Sequence, residues 1–223
     1  MKTGLFGALA VTMIASLMTT GCDGTENEGS SDEEVIIDSN MTLEEALEGL
    51  NPECPPAVRA RQVLLEVAYY SFDGKQHRGQ LVLDERLSDD LRQVFDTILD
   101  EKFPVQSVIP VSEFGWDDET SMQANNTSSF NYRFIAGSTT LSEHAKGWAI
   151  DVNPKINPYI SSDGTNVQPA GATYDPDKPG TLTGDHPVVL KFKELGWGWG
   201  GDWHDQNPAS PWDYQHFDKD PTL

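Results

Sequence analysis

The stretch LSEHAKGWAIDVNP, residues 141–154, constrains the fold more than any other part of the chain. Large apolar residues alternate in it with small or acidic ones, and successive side chains of a strand point to opposite faces. A strand through this stretch places Trp148, Ile150 and Val152 on one face and Asp151 on the other. The sequence therefore predicts a buried strand whose second face carries a carboxylate between residues small enough to admit an ion or a substrate.

A second polar cluster lies near the C-terminus, where DYQHF occupies residues 213–217. With His144 and Asp151 it provides two histidines, one aspartate and a spare acid, which are the parts of a hydrolytic zinc site. Asp213 and His216 are three positions apart and would face opposite sides of a regular strand. Both reach one site only if Asp213 lies before the strand or at a bulge.

These motifs resemble those of a known family. SEHAKGWAID, followed by GWGWGGDW and DYQHF, resembles the zinc D-alanyl-D-alanine carboxypeptidases and L-alanyl-D-glutamate endopeptidases that trim bacterial peptidoglycan. Their pattern is S-x-H, then G-x-A-x-D, then [D/E]-x-x-H. The resemblance covers roughly residues 54–220 and includes FDGKQHRGQLVLDERL and NTSSFNYRFIAGS. It implies an α+β domain with a small antiparallel sheet flanked by helices, similar to the fold shared with lysostaphin-type enzymes and the hedgehog signalling domain.

The resemblance also implies a role for each site residue. Asp213 would be the general base, a role that suits a carboxylate beside the reacting water. Arg133 would stabilise the oxyanion or anchor a substrate carboxylate, and the alternative is a surface ion pair. Ser142 would orient the substrate, and the alternative is a helix or turn cap. The implied ligands of one Zn²⁺ per chain are His144, Asp151 and His216.

The function implied is a zinc metallopeptidase that hydrolyses a peptide bond in peptidoglycan stem peptides, of carboxypeptidase or endopeptidase type. An aspartate as base is more similar to the endopeptidase branch. The alternative is a non-catalytic, metal-containing, wall-binding lipoprotein, which the intact set of ligands and base disfavours. A calcium-dependent adhesin is a third hypothesis and rests on acidity alone. We expect a monomer.

Residues 1–22 predict a signal peptide. Lys2 precedes an apolar run, residues 4–18, that is shorter than the ~20 residues needed to span a bilayer. Gly21-Cys22 resembles a bacterial lipoprotein processing site, so Cys22 would carry the lipid; simple secretion is the alternative. A lipid anchor would hold the protein beside the cell wall, in the cell envelope and facing the periplasm or the cell exterior.

Residues 23–50 contain no lysine or arginine and predict an acidic tether, disordered over residues 23–34, before a peptidase domain at residues 51–223. Thr42 followed by Glu45 predicts a capping box for a short helix within residues 41–50. The formal net charge of −21 argues against nucleic acid and against an anionic membrane surface as electrostatic partners.

Periodicity and turn residues predict the remaining elements. They are a hairpin over residues 63–83, a helix over 88–102 with Ser88 as N-cap, a strand over 105–111, a loop over 125–142, a functional wall or lid at 155–184, and a helix from Asp185 to Leu195. Three residues carry rival hypotheses. His204 is the rival third metal ligand. His77 is more simply explained as a hydrogen-bonded residue of a strand. Cys54, between Glu53 and Pro55, is explained as a structural residue at a turn, unless it forms a disulfide with Cys22.

Overall fold

A computed structural model describes residues 35–222, so the predicted signal peptide, Cys22 and the tether at residues 23–34 lie outside the described residues. Within this range, each helix is too short or too polar to cross a membrane. The helices are α1 Leu43–Ala46, α2 Pro56–Arg59, α3 Ser88–Asp100, α4 Asp118–Gln123, α5 Pro187–Glu194 and α6 Trp203–Gln206. The strands are β1 Ile36–Ile37, β2 Gln62–Tyr70, β3 Gln76–Asp84, β4 Ser107–Val108, β5 Asn126–Thr127, β6 Ala149–Asp151, β7 Tyr159–Ile160, β8 Val167–Gln168, β9 Gly198–Trp199, β10 Trp212–Asp213 and β11 His216–Asp218.

The α+β class is confirmed, although the strands form several small sheets instead of one. Their orders are β1-β3-β2, β10-β7-β8, β6-β11-β9 and β4-β5. Two of the pairs, β1 with β3 and β4 with β5, are parallel. The predicted strand at residues 105–111 shortens to β4 and is followed by a 3₁₀ turn at Val111–Phe114.

The predicted hairpin is confirmed as β2 and β3, which pair antiparallel from Gln62 opposite Asp84 to Tyr70 opposite Gln76. Gly74 in the turn has a φ of +77°, a conformation that glycine adopts without strain. Helix α3 covers one face of the hairpin with four buried residues spaced as one helical stripe. These are Leu91, Val94, Phe95 and Ile98.

The prediction that Ser88 is the N-cap of α3 is wrong. Ser88 is the first residue of the helix, and the residue before it makes no side-chain cap. A 3₁₀ turn at Glu85–Leu87 precedes the helix, and there Asp84 accepts a hydrogen bond from the Arg86 backbone N–H at 3.1 Å. The cap therefore belongs to the turn, four residues earlier than predicted, and α3 ends at Asp100 instead of Lys102.

Residues 35–50 also differ from the predicted tether. Strand β1 pairs with β3, with Ile36 opposite His77. The capping box of α1 is confirmed by mutual hydrogen bonds between Thr42 and Glu45. Ala46 is fully buried in a small apolar cluster with Phe130. The ordered domain therefore begins upstream of residue 51, because this segment buries apolar side chains that a solvated tether would expose.

The insertion at residues 155–184 has structure of its own, since β7 and β8 pair with each other and β7 pairs with β10. Asn157, fully buried, joins its ends. The Asn157 side-chain N–H group donates to the Gly180 carbonyl at 3.0 Å, and its side-chain oxygen accepts from the Leu182 N–H at 2.8 Å. The insertion is therefore fixed at both ends beside β6.

The helix predicted from Asp185 to Leu195 is α5, which begins at Pro187 with His186, not Asp185, as its N-cap. His186 Nδ1 accepts from the Val188 N–H at 3.2 Å and is the cap. Asp185 instead accepts a hydrogen bond from the Thr183 hydroxyl at 2.7 Å.

The predicted loop at residues 125–142 begins with the short strand β5, whose two residues are fully buried.

Candidate metal centre

Strands β6 and β11 place two of the predicted ligands directly opposite each other, because His216 pairs with Asp151 in the antiparallel register. His144 comes from a 3₁₀ turn, Glu143–Lys146, that leads into β6. Asp151 Oδ1 lies 3.0 Å from His216 Nδ1 and 3.2 Å from His144 Nε2, and the two imidazole nitrogens are 3.2 Å apart. The chain therefore brings three potential ligand atoms together at one point.

This triangle fits a tetrahedral metal site. Zinc bonds of about 2.0–2.2 Å at tetrahedral angles place ligand atoms roughly 3.3–3.5 Å apart. His144 Nδ1 lies 2.6 Å from the Ser129 carbonyl oxygen, which can only accept, so Nδ1 carries the proton. The lone pair of His144 is then on Nε2, which faces the cluster. A backbone carbonyl that fixes the histidine tautomer in this way is the usual support of a metal-binding imidazole.

Local backbone geometry aims His144 at the cluster. The Ser142 hydroxyl caps the 3₁₀ turn by accepting from the His144 N–H at 3.3 Å. Gly147 ends the turn with a φ of +75°, and a Cβ there would lie 2.4 Å from Gln62 Oε1. Because glycine alone fits this position, Gly147 fixes the path of the chain between His144 and β6.

Asp213 lies on β10, before the strand that carries His216, which is the first of the two arrangements predicted for this pair. The close approach of Gly200 makes room for it, since a Cβ on Gly200 would lie 2.4 Å from the Asp213 carbonyl oxygen. Asp213 Oδ1 is buried and has no hydrogen-bond partner among the described residues. A carboxylate oxygen without a partner is costly unless a ligand or a proton satisfies it.

Burial raises the pKa of Asp213 to about 7, an effect that Asp151 adds to and the two histidines oppose. Burial alone would also raise the pKa of Asp151, but His144 and His216 reverse this and hold it well below its usual range. Burial alone would lower the pKa of His216, but the hydrogen bond to Asp151 and the negative charges of Asp151, Asp213 and Asp218 together raise it to about 9. The pKa values of the two carboxyl groups are thus shifted in opposite directions. Asp151 is ionised, and Asp213 can exchange a proton near neutral pH.

A cleft of about 460 Å³ opens at the cluster. Arg133, Ser142 and Asp213 line it, together with Tyr159 and Gln168 from the insertion. The insertion is therefore one wall of the cleft, as predicted. Arg133 forms an ion pair with Asp118, which also lines the cleft, with Arg133 Nη2 2.7 Å from Asp118 Oδ2.

Residues 136–219 match the family model described as D-alanyl-D-alanine carboxypeptidase. The resemblance is confirmed over these residues. The matched residues include Ser142 and the four acids and histidines of the site. Arg133 lies just upstream of it. Neither the curated proteins nor the solved structures contain a significant match to the chain.

The rival residues lie apart from the cluster of His144, Asp151 and His216. His204 Nδ1 lies 2.8 Å from the Ser210 carbonyl oxygen, and its ring stacks on Trp212. His77 is a hydrogen-bonded strand histidine, as predicted, with Nδ1 2.9 Å from Asp38 Oδ2. Cys54 is buried and has no disulfide partner among the described residues.

Two contributors to the site were missed by the sequence analysis. Ser129 acts through its backbone carbonyl, and a carbonyl leaves no signal in residue types. Asp118 lies on α4, 15 positions from the arginine it pairs with, and an acidic residue at the start of a helix is ordinarily explained by the helix dipole. Only the three-dimensional path of the chain brings these groups to the cleft.

Proposed function

We propose that this chain is a zinc-dependent peptidase that hydrolyses a peptide bond in peptidoglycan stem peptides. The observation that carries the proposal is the convergence of three ligand atoms, 3.0–3.2 Å apart, inside the segment that matches the peptidase family. We also propose the hedgehog/DD-peptidase-like fold for the domain and a monomeric state.

His144, Asp151 and His216 would hold the ion, because they offer two imidazole nitrogens and one carboxylate oxygen, and binding of the ion would displace the proton from His216. When bound, zinc polarises a carbonyl group and lowers the pKa of water towards neutrality. The Ser129 carbonyl keeps His144 in the tautomer that this ligation needs.

Asp213 is placed to act as the general base. Its buried Oδ1 has no partner, and its raised pKa of about 7 suits proton exchange near neutral pH. It would accept the proton of the attacking water and return it to the leaving amine, a role worth about 10²- to 10⁴-fold in rate. Arg133 and Ser142 line the same cleft and would contact the peptide near the scissile bond.

The test is a paired measurement of zinc content and of products released from purified stem peptides. The parent, Asp213→Asn, His216→Ala and His204→Ala variants form the set. We expect about one zinc per chain in all except His216→Ala, and hydrolysis only in the parent and His204→Ala. His204→Ala is the matched control, because it removes a histidine outside the cluster.

Zinc bound by the parent without any product would favour the non-catalytic wall-binding alternative. Full zinc content in His216→Ala would refute the ligand set. The released fragment identifies the scissile bond and so distinguishes carboxypeptidase from endopeptidase activity.

We further propose that the protein is a lipoprotein of the cell envelope, anchored through Cys22. The proposal follows from the apolar leader and the Gly21-Cys22 pair. Incorporation of a labelled fatty acid by the parent but not by a Cys22→Ser variant is the expected result. Label in both would refute Cys22 as the lipidated residue.

A further inference from the structure

The cleft is strongly acidic. Among the described residues that line it, Arg133 is the only lysine or arginine. Asp151 and Asp213 would offset the charge of a bound divalent ion, and three further carboxylates line the same cleft. These are Asp118, Asp218 and Glu143, the last of which is paired with Lys146 at 2.8 Å. A substrate with a free carboxylate beside the scissile bond therefore depends on Arg133 for a compensating charge.

Arg133 is already paired. Asp118 Oδ2 lies 2.7 Å from Arg133 Nη2, and both side chains are less than a third exposed. The other Asp118 oxygen accepts from Asn131 Nδ2 at 3.3 Å, and Asn131 is buried. The Arg133 backbone carbonyl accepts from the Ser142 N–H at 3.1 Å. The ion pair is therefore supported on both sides, which lowers the entropic cost of holding it.

A neutralised guanidinium still donates hydrogen bonds. A guanidinium carries five N–H donors, and the ion pair with Asp118 is made through Nη2, so donors remain for a neutral oxygen. A peptide carbonyl, or the oxygen on which charge grows during hydrolysis, matches such a donor. A permanent substrate carboxylate would have to compete with Asp118 for the same charge.

The cleft also continues beyond the ion pair. A second cavity of about 520 Å³ shares Asp118, Met122, Arg133 and Gln168 with the first, and Asp117 and Glu119 line the second cavity only. A bound peptide can therefore extend past Arg133 and need not end there. A dead-end pocket with a free cation would be expected for a terminal residue, and neither feature is present in the described part of the cleft.

We infer that Asp118 is a specificity-determining residue: by neutralising Arg133 it directs the cleft towards internal peptide bonds and against substrates that end in a free carboxylate next to the scissile bond. This inference rests on the proposed peptidase function and favours its endopeptidase form. It assigns the preference to one ion pair that a single isosteric substitution removes.

The test measures binding, so that it does not depend on turnover. An acetylated pentapeptide stem ending in D-Ala-D-Ala is prepared as the free acid and as the C-terminal amide. Both are titrated calorimetrically into zinc-loaded protein carrying Asp213→Asn. The ratio of the two dissociation constants is compared with Asp118→Asn and with Glu119→Gln added to that background.

We expect the background protein to bind the amide at least as tightly as the free acid. Asp118→Asn should strengthen binding of the free acid by about fivefold, the value of one newly available ion pair, with the amide changed by less than about twofold. Glu119→Gln is the matched control, because it removes a carboxylate of the second cavity that does not contact Arg133. It should leave the ratio unchanged.

An unchanged ratio in Asp118→Asn overturns the inference, as does an equal change in Glu119→Gln, which would reflect general charge. Absence of binding by either peptide in all variants also overturns it. Adding Arg133→Gln to Asp118→Asn should abolish the gain. Failure of the proposed function is distinguished by the parent, which would then bind these peptides without releasing any product.

Discussion

Replacing Asp213 by asparagine is expected to stabilise the metal-free protein above neutral pH, although it removes the proposed general base. Burial raises the pKa of Asp213 from its ordinary value of 3.8 to about 7. Between these two values the unfolded chain is ionised while the folded protein keeps the proton. The unfolded state then binds fewer protons, so the free energy of unfolding falls as the pH rises through this window. Asparagine does not ionise and escapes this loss.

The size of the effect follows from the width of the window. One pH unit over which only the unfolded state is ionised costs about 1.4 kcal/mol. From about pH 5.5 to about pH 8, the parent loses up to about 2 kcal/mol relative to the variant. Because Asp213 lines an open cleft and keeps some solvent contact, we expect about half of that difference, roughly 1 kcal/mol.

The assay is urea unfolding of both proteins in the presence of a chelator at about pH 5.5, 7 and 8. Asp96→Asn is the control, because Asp96 is exposed on α3 and its loss changes the net charge by the same amount. The advantage of Asp213→Asn over the parent should grow with pH, and that of Asp96→Asn should not. An advantage that is constant or shrinks with pH would refute the assigned burial of this carboxyl.

Three further predictions concern the packing of the core, the position of Gly147 and the binding of zinc. Phe217 is fully buried against other aromatic rings, so Phe217→Ala should lower the free energy of unfolding by about 3–5 kcal/mol; Phe134→Ala, at a residue 49% exposed, should change it by less than about 0.5 kcal/mol in the same urea titration. Gly147→Ala should weaken zinc binding in calorimetry, because its Cβ would lie 2.4 Å from Gln62 Oε1 and displace His144; unchanged affinity would contradict this. Zinc at about 100 times its dissociation constant should stabilise the parent by about 2.7 kcal/mol and leave His144→Ala unaffected.

The parts of the site that could be predicted from sequence are those in which function and folding use the same local pattern. Ile150 and Asp151 occupy opposite faces of β6, so the alternation that turns one towards the core turns the other towards the cleft. Thr42 and Glu45 satisfy each other within one turn, so their capping box is visible in four residues. Each of these features depends on neighbours in the chain.

The parts that could not be predicted depend on distant partners. Ile36 pairs with His77 across 41 positions, and a strand of two residues has no periodicity to reveal it. Asp118 meets Arg133 because α4 and the segment before His144 converge, which no spacing rule indicates. The predicted N-terminal caps of α3 and α5 differ from the observed ones for another reason. Several polar residues near the start of each helix can act as the cap, and tertiary packing selects among them.

The proposed metal ligands and the proposed specificity residues differ in how closely they are tied to the core. His216 and Phe217 are consecutive on β11, so the strand that presents a ligand to the cleft also presents a ring to the core. Movement of the ligand then disturbs the packing of Phe217 against Phe192, whose rings lie 3.8 Å apart. Arg133 has no such double role, because it lines the cleft from a segment outside the sheet of β6, β11 and β9. Substitutions there should change which peptide is bound while the metal centre and the core remain intact.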